Sequence, residues 1–274
     1  MAIAYFYCFI QQRIIPNLSV EGAFDSAMDG VTHIIHAGSP LPMPTCDITT
    51  EVFLPIILIT QNLLKAASKA PSVRRVVITS SIASNLPLDR ASSSTTPVSA
   101  SHREQMPDPI IPEKWSNGFE GYTHGKRVEL LQTDDFAKKQ PHFTISHILP
   151  GFVFGRNELM LNCEMNAKPN STNDLLMYGM LGKELPLPMH GAFAHIDDVA
   201  EAHLKVAFLE GPESARDFGI ATKVDFGSIF DIVEKAFPKA TDDVEKMLGK
   251  LRGFEEAVTD VAGQYLEILG IEKA

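Results

Sequence analysis

Along this chain, β-branched apolar runs alternate with stretches whose apolar positions recur every three or four residues. Val31 to Ala37 is such a run and stops at Gly38-Ser39-Pro40, which predicts a buried strand entering a loop. Before it, Glu21 to Met28 carries Ala23, Phe24 and Ala27 at helical spacing and ends at Asp29-Gly30, which predicts a helix with a glycine stop. Thr50 to Lys69 holds Leu58, Leu63, Leu64 and Ala67 at helical spacing, a longer helix interrupted near its start by Pro55. Val73 to Ser80 reads as a second buried strand, and residues 84–117, rich in Ser, Thr and Pro, as loop. Tyr122 to Lys138 is expected to be a third helix and Phe143 to Val153 a third strand. A short strand is expected around Phe193 to Ile196, then a helix capped by Asp197 and running to about Leu209. From Phe226 to Ala274 the pattern is mostly that of amphipathic helix.

Buried strands alternating with helices predict an α/β fold, a parallel sheet with helices on both faces. The 274 residues allow one large domain or a core with an added lobe. Lys and Arg number 24 against 34 Asp and Glu, a net charge of −10 without a basic cluster, which argues against a nucleic-acid partner. Cys8, Cys46 and Cys163 are odd in number and far apart, so neither a disulfide framework nor a zinc site is expected, and a reducing, cytoplasmic setting follows. The longest apolar runs, Met1–Ile10 and Val52–Ile59, are shorter than the roughly 20 residues that span a bilayer, so no membrane partner is expected.

Chemistry concentrates at three places. Tyr122 and Lys126 stand four apart, hence on one face of a helix. An ammonium beside a phenol favours the ionised form and brings the phenol toward use as a general acid or base at neutral pH, although an exposed helix pair has the same spacing. Thr79-Ser80-Ser81 ends the second strand at the carboxyl edge, where open α/β sheets bind ligands, and a hydroxyl there can donate to a carbonyl. Pro150-Gly151-Phe152-Val153 ends the third strand at that same edge.

These pieces, in this order, resemble the extended short-chain dehydrogenase/reductases, also called the NAD-dependent epimerase/dehydratase superfamily. The resemblance is carried by Phe24-Asp25, Gly30-Val31, His36 to Pro40, Thr60 to Ala66, Val76 to Ser81, Tyr122 with Lys126, Leu149 to Gly155 and His195 to Ala200. It covers about residues 17–235 and points to the branch of dihydroflavonol, cinnamoyl-CoA and aldehyde reductases. It implies a Rossmann-type core over residues 1–155 and a mostly helical substrate lobe over 156–274, with 191–210 returning to the core. It also implies that Tyr122 protonates a substrate carbonyl, that Ser81 hydrogen-bonds the same oxygen, and that Lys126 holds the nicotinamide ribose. Asn17 and Leu18 would face the adenine, Ala37, Gly38 and Ser39 the ribose and phosphates, and Pro150 and Val153 the nicotinamide. NADP(H) is the implied cofactor, with NAD(H) as the alternative, and the implied partner is a small carbonyl or alcohol substrate.

The chain departs from the family pattern in three ways. It contains no G-x-x-G-x-x-G turn, only 16 residues precede Asn17, and the phosphate-cradling unit is therefore expected to be missing. Ile59 stands where the family commonly has Gly, and Gly125 where a small hydroxyl or Ala is usual. The main reading is a reductase of an aldehyde or ketone, in secondary metabolism. A second is a non-redox remnant that has lost dinucleotide binding and, as a homo-oligomer, binds a small molecule or a partner chain through an exposed sheet edge; a third is an epimerase or dehydratase. His33 and His36 face opposite sides of a strand, so no metal is expected from them or from the other histidines. His124 is expected to point to solvent. Met177, Met180 and Met189 with Phe152, Tyr178 and Leu181 would form the substrate wall.

Overall fold

The computed structural model describes residues 11–43, 46–85, 111–139, 141–158, 172–180, 192–211, 217–236 and 254–268. Four parallel strands make the main sheet: β1 (His33–His36), β2 (Arg75–Thr79), β3 (Thr144–Pro150) and β6 (Asp217–Ile220), in the order β1-β2-β3-β6. Register pairs Ile34 with Val76, Val76 with Ile145, and Ile148 with Phe218. Alternation along the strands sorts their side chains. On one face Val76, Ile78 and Ile145 pack on Leu63, Leu64, Ala66 and Ala67 of α1 (Leu54–Lys69). On the other, Val77 and Ile148 pack on Val206 and Ala207 of α4 (Ile196–Ala207). Each fully buried Leu or Ile in these layers contributes about 1.5–3 kcal/mol. The expected parallel α/β sandwich is therefore present.

Several boundaries differ from the sequence reading for local reasons. The expected helix at 21–28 is only a short 3₁₀ turn, Asp25–Ala27, within a series of turns. Pro55 does not break its helix; it occupies the first turn of α1, at the junction with a preceding turn of different pitch. A wide π-type turn, Ile48–Phe53, precedes α1, capped by Asp47, whose carboxylate accepts from the Thr50 N–H at 2.8 Å. Together they form a 22-residue helix, Ile48–Lys69, long and apolar enough to cross a bilayer by length and composition. Here its apolar residues Val52, Phe53, Ile56, Leu63 and Leu64 are buried within the fold. Helix α2 (Gly118–Ala137) begins one turn earlier than expected, because Asn117 caps it by accepting from the Glu120 N–H at 2.9 Å. Its N-cap signal was present in the sequence as Asn117-x-x-Glu120.

The expected third strand divides at Gly151. Beyond it, β4 (Phe152–Phe154) joins a second sheet with β5 (Ala192–His195) and β7 (Thr222–Lys223), in the order β4-β5-β7. Phe154, Phe193 and Val224 of this region pack with Leu176 of α3 (Asn173–Met180), Ile229 of α5 (Ile229–Ala236), and Ala257, Val258 and Val261 of α6 (Phe254–Ile268). Gly151 makes the transfer between sheets because a Cβ there would lie 2.5 Å from the Ala192 carbonyl carbon and 2.8 Å from the Phe193 nitrogen. Both obstacles are backbone and cannot rotate away. Gly151→Ala is expected to cost about 3 kcal/mol and to lower Tm by about 6–12 °C in a thermal melt. A melt unchanged within error would show that the two sheets can separate at this point without penalty.

The helix after β5 is capped by His195, not by Asp197: the His195 Nδ1 accepts from the Asp197 N–H at 3.3 Å. Asp197 and Asp198 stand in the first turn, where negative charge suits the helix dipole. The other ring nitrogen of His195 lies 3.2 Å from Asp260 of α6, so one buried imidazole ties β5, α4 and α6 together.

Candidate active site

Because β1, β2 and β3 are parallel and in register, their carboxyl ends share one rim. Ala37, Gly38 and Ser39 leave it after β1, Ser80 and Ser81 after β2, and Pro150 closes β3. Helix α2 lies beside this rim and is fixed to it by Lys126, whose Nζ donates to the carbonyl of Thr79 at 3.0 Å. Tyr122 stands one turn earlier on α2, half-buried, its ring stacked on Phe119 at 6.3 Å between centroids. The structure thus brings Ser81, Tyr122, Lys126, Pro150 and the Ala37–Ser39 loop to one edge. Val153 is half-buried on β4, just past the crossing at Gly151, and its carbonyl accepts from the Thr172 hydroxyl.

The two serines differ. The Ser81 Oγ accepts from the Ala83 N–H at 3.1 Å, which leaves its own proton for another acceptor. The Ser80 Oγ is buried and has no hydrogen-bond partner among the described residues; the Ser39 Oγ, in the loop after β1, is in the same condition. A buried hydroxyl without a partner costs about 1–3 kcal/mol. A polar ligand at the rim would relieve both.

Lys126 is among the least exposed of the described residues, at 1 %. Its Nζ lies 3.0 Å from a carboxylate oxygen of Glu129, whose side chain is also 1 % exposed. The other Glu129 oxygen accepts from the Thr60 hydroxyl of α1 at 2.6 Å. Sequence reasoning missed Glu129 and Thr60. The available signal was spacing, since Glu129 follows Lys126 by three positions and so shares its helix face. His36, the last residue of β1, lies near this pair; burial holds its pKa below the ordinary 6.5, with Glu129 opposing the shift and Lys126 adding to it. The folded state therefore resists a proton that the unfolded chain accepts. Stability should be full above about pH 6.5 and decline as pH falls from there through the depressed folded pKa, with a slope approaching 1.4 kcal/mol per pH unit, roughly. Urea titrations over this range should show that limb flattened in His36→Leu; an unchanged limb would place the acid sensitivity elsewhere.

Thr79 serves both faces of the sheet. Its carbonyl accepts from Lys126, while its hydroxyl lies 2.6 Å from the His203 Nε2 of α4. His203 Nδ1 donates to the Val199 carbonyl at 2.7 Å, so its Nε2 accepts from Thr79.

Other sequence-based expectations fare differently. His124 is buried, not solvent-facing: its Nδ1 donates to the Glu120 carbonyl and its ring meets Trp115 edge-on at 5.2 Å. The Asn17 carboxamide accepts from the Ser19 N–H at 2.9 Å, and the Leu18 carbonyl accepts from Asn62 of α1 at 3.2 Å. Gly125 provides the close approach that a glycine in α1 would otherwise give, because a Cβ there would stand 2.9 Å from the Ile56 Cδ1. The side chains of Met177, Tyr178 and Met180, together with Leu181, Met189, Cys8 and Cys163, lie outside the described residues.

No family model matches the chain. Among curated proteins, it is 33 % identical over 255 residues to the NAD-dependent epimerase/dehydratase ALT6 of Alternaria alternata, covering 87 % of this chain and 70 % of that one. It is 28 % identical to the ketoreductase sphI of Aspergillus fumigatus, over 94 % of this chain and 83 % of the relative. Among solved structures, the yeast methylglyoxal/isovaleraldehyde reductase Gre2 complexed with NADPH superposes with a TM-score of 0.78 at 22 % identity, over 95 % of this chain and 85 % of the other. One residue in three shared over most of both chains, on a sheet whose carboxyl rim gathers the Ser, Tyr and Lys motifs, makes this chain a member of the extended short-chain dehydrogenase/reductases, the NAD-dependent epimerase/dehydratase superfamily.

Proposed function

We propose that the protein is an NAD(P)H-dependent reductase, with NADPH the preferred donor, that converts an aldehyde or ketone of a bulky apolar metabolite into the alcohol in the cytoplasm. The observation that carries this reading is the gathering of Ser81, Tyr122 and Lys126 at one rim of a parallel sheet, with Lys126 fixed to the end of β2. Relatives named as ketoreductases, and a similar fold solved with NADPH, support it.

Ser39 and Ser80, whose buried hydroxyls have no partner among the described residues, fit the polar ribose-nicotinamide end of such a cofactor. Ala37, Gly38 and Pro150 would border it at the same edge, and Val153 just beyond. Lys126 would hold its ribose. When bound, the reduced nicotinamide supplies a hydride to the carbonyl carbon. The chain's own residues manage the oxygen. Ser81, already accepting from Ala83, donates its hydroxyl proton as a hydrogen bond to the carbonyl. Tyr122 transfers its phenolic proton to that oxygen as charge develops there, completing the alcohol, and takes a proton back from solvent. Asn17 and Leu18 would meet the adenine. The sequence contains no G-x-x-G-x-x-G pattern of the kind that cradles a diphosphate. Residues 156–274 would supply the substrate lobe, with 191–210 packing back on the core.

The test is NADPH consumption with a panel of apolar ketones and aldehydes, with the alcohol identified by mass spectrometry, alongside titration of NADPH by its fluorescence. Product formation and saturable binding are expected. Neither binding nor turnover with well-folded protein would dispose of the reading.

A further inference from the structure

Two of the three N–H groups of Lys126 have acceptors among the described residues: the Thr79 carbonyl and Glu129, each at 3.0 Å. An ammonium is tetrahedral, so fixing two of its bonds fixes the direction of the third. Glu129 is itself held from across the helix pair, by the Thr60 hydroxyl at 2.6 Å from α1. Lysine and carboxylate are both 1 % exposed, so water does not compete for either. An ion pair this deeply buried is expensive to desolvate and is no better for stability than apolar residues of similar volume. Its presence beside a residue of the proposed site calls for another role.

We infer that Glu129, oriented by Thr60, is a positioning residue: it holds the Lys126 ammonium against the end of β2 so that its remaining N–H addresses the ligand at the rim. The inference rests on the reductase reading for the identity of that ligand. The ion pair itself stands independently of it. Glu129 does not touch substrate or cofactor, and its effect reaches the reaction only through Lys126. The groups facing the pair are the His36 imidazole from the end of β1, the Thr60 hydroxyl from α1 and the Thr79 carbonyl from β2.

A double-mutant cycle tests this. Glu129→Gln, Lys126→Met and the double variant are compared by thermal melting without cofactor, and by kcat and KM for NADPH and for a carbonyl substrate. Each single variant should melt lower than wild type, and the double should recover part of that loss, since it leaves neither charge buried alone. Glu129→Gln should lower kcat/KM for NADPH by up to about 100-fold, the scale of a misplaced group, while the carbonyl KM moves little. In the Lys126→Met background the same substitution should have no further kinetic effect. Thr60→Val, which leaves both charges in place, should move kinetics in the direction of Glu129→Gln by a smaller factor. Equal kinetic losses from Glu129→Gln in both backgrounds would overturn the inference and assign Glu129 a purely structural role. Absence of turnover in wild type would instead overturn the reductase reading, with the melting data still reporting on the pair.

Discussion

Tyr122→Phe is expected to reduce carbonyl turnover by about 100- to 10,000-fold, the contribution of a well-placed proton donor. The substitution removes one oxygen atom and little else. The ring remains to stack on Phe119, and the hydroxyl has no partner among the described residues whose loss would weaken the fold. Far-ultraviolet circular dichroism and the melting temperature should therefore match wild type, and NADPH should still bind. Loss of turnover with binding retained is the signature of a group acting on the reacting oxygen rather than on cofactor affinity. A variant retaining more than about a tenth of the wild-type kcat would remove Tyr122 from that role.

Lys126→Met should show a different pattern, because it affects folding and chemistry together. Methionine fills much the same space but leaves the Glu129 carboxylate buried without its cation and the Thr79 carbonyl without its donor. Breaking one side of a buried pair costs about 3–5 kcal/mol. For a chain of this size that lowers Tm by about 6–20 °C. Turnover measured well below the lowered Tm should still be depressed by about 100-fold or more, because the ammonium is gone from the proposed ribose contact. Full activity in the folded fraction would confine Lys126 to a structural part. Differential scanning calorimetry and initial rates on the same preparation separate the two effects.

The parts legible in the sequence were those specified locally. Val76 to Ile78 is apolar on both faces, and Ile145 to Leu149 is buried throughout, because both faces of each strand are covered; the β-branched runs read directly as central parallel strands. The Tyr122 and Lys126 spacing read correctly as one helix face because it needs only helical geometry. Features that depend on distant partners did not read. Strand β6 is four residues containing Asp and Gly, poor strand formers, and its place is set by parallel pairing along the edge of β3, where Asp217 also lies 2.9 Å from the His147 Nδ1. Gly151 divides what looks like one strand because of the Ala192 backbone, some forty positions later. His124 looked exposed because its burial comes from Trp115 in the preceding loop, not from its own helix. Glu129 escaped notice for a similar reason: its hydrogen-bond partner on α1 is 69 residues away.

Thr79 gives the molecule an unusual vulnerability to remote change. One residue suspends a helix from each side of the sheet, α2 through its carbonyl and α4 through its hydroxyl. A substitution at His203, on the side away from the proposed chemistry, can therefore twist the strand end that Lys126 grips. For anyone reshaping the enzyme toward new compounds, the back of the sheet is not a neutral scaffold, and mutations accumulated there will be inherited by the front.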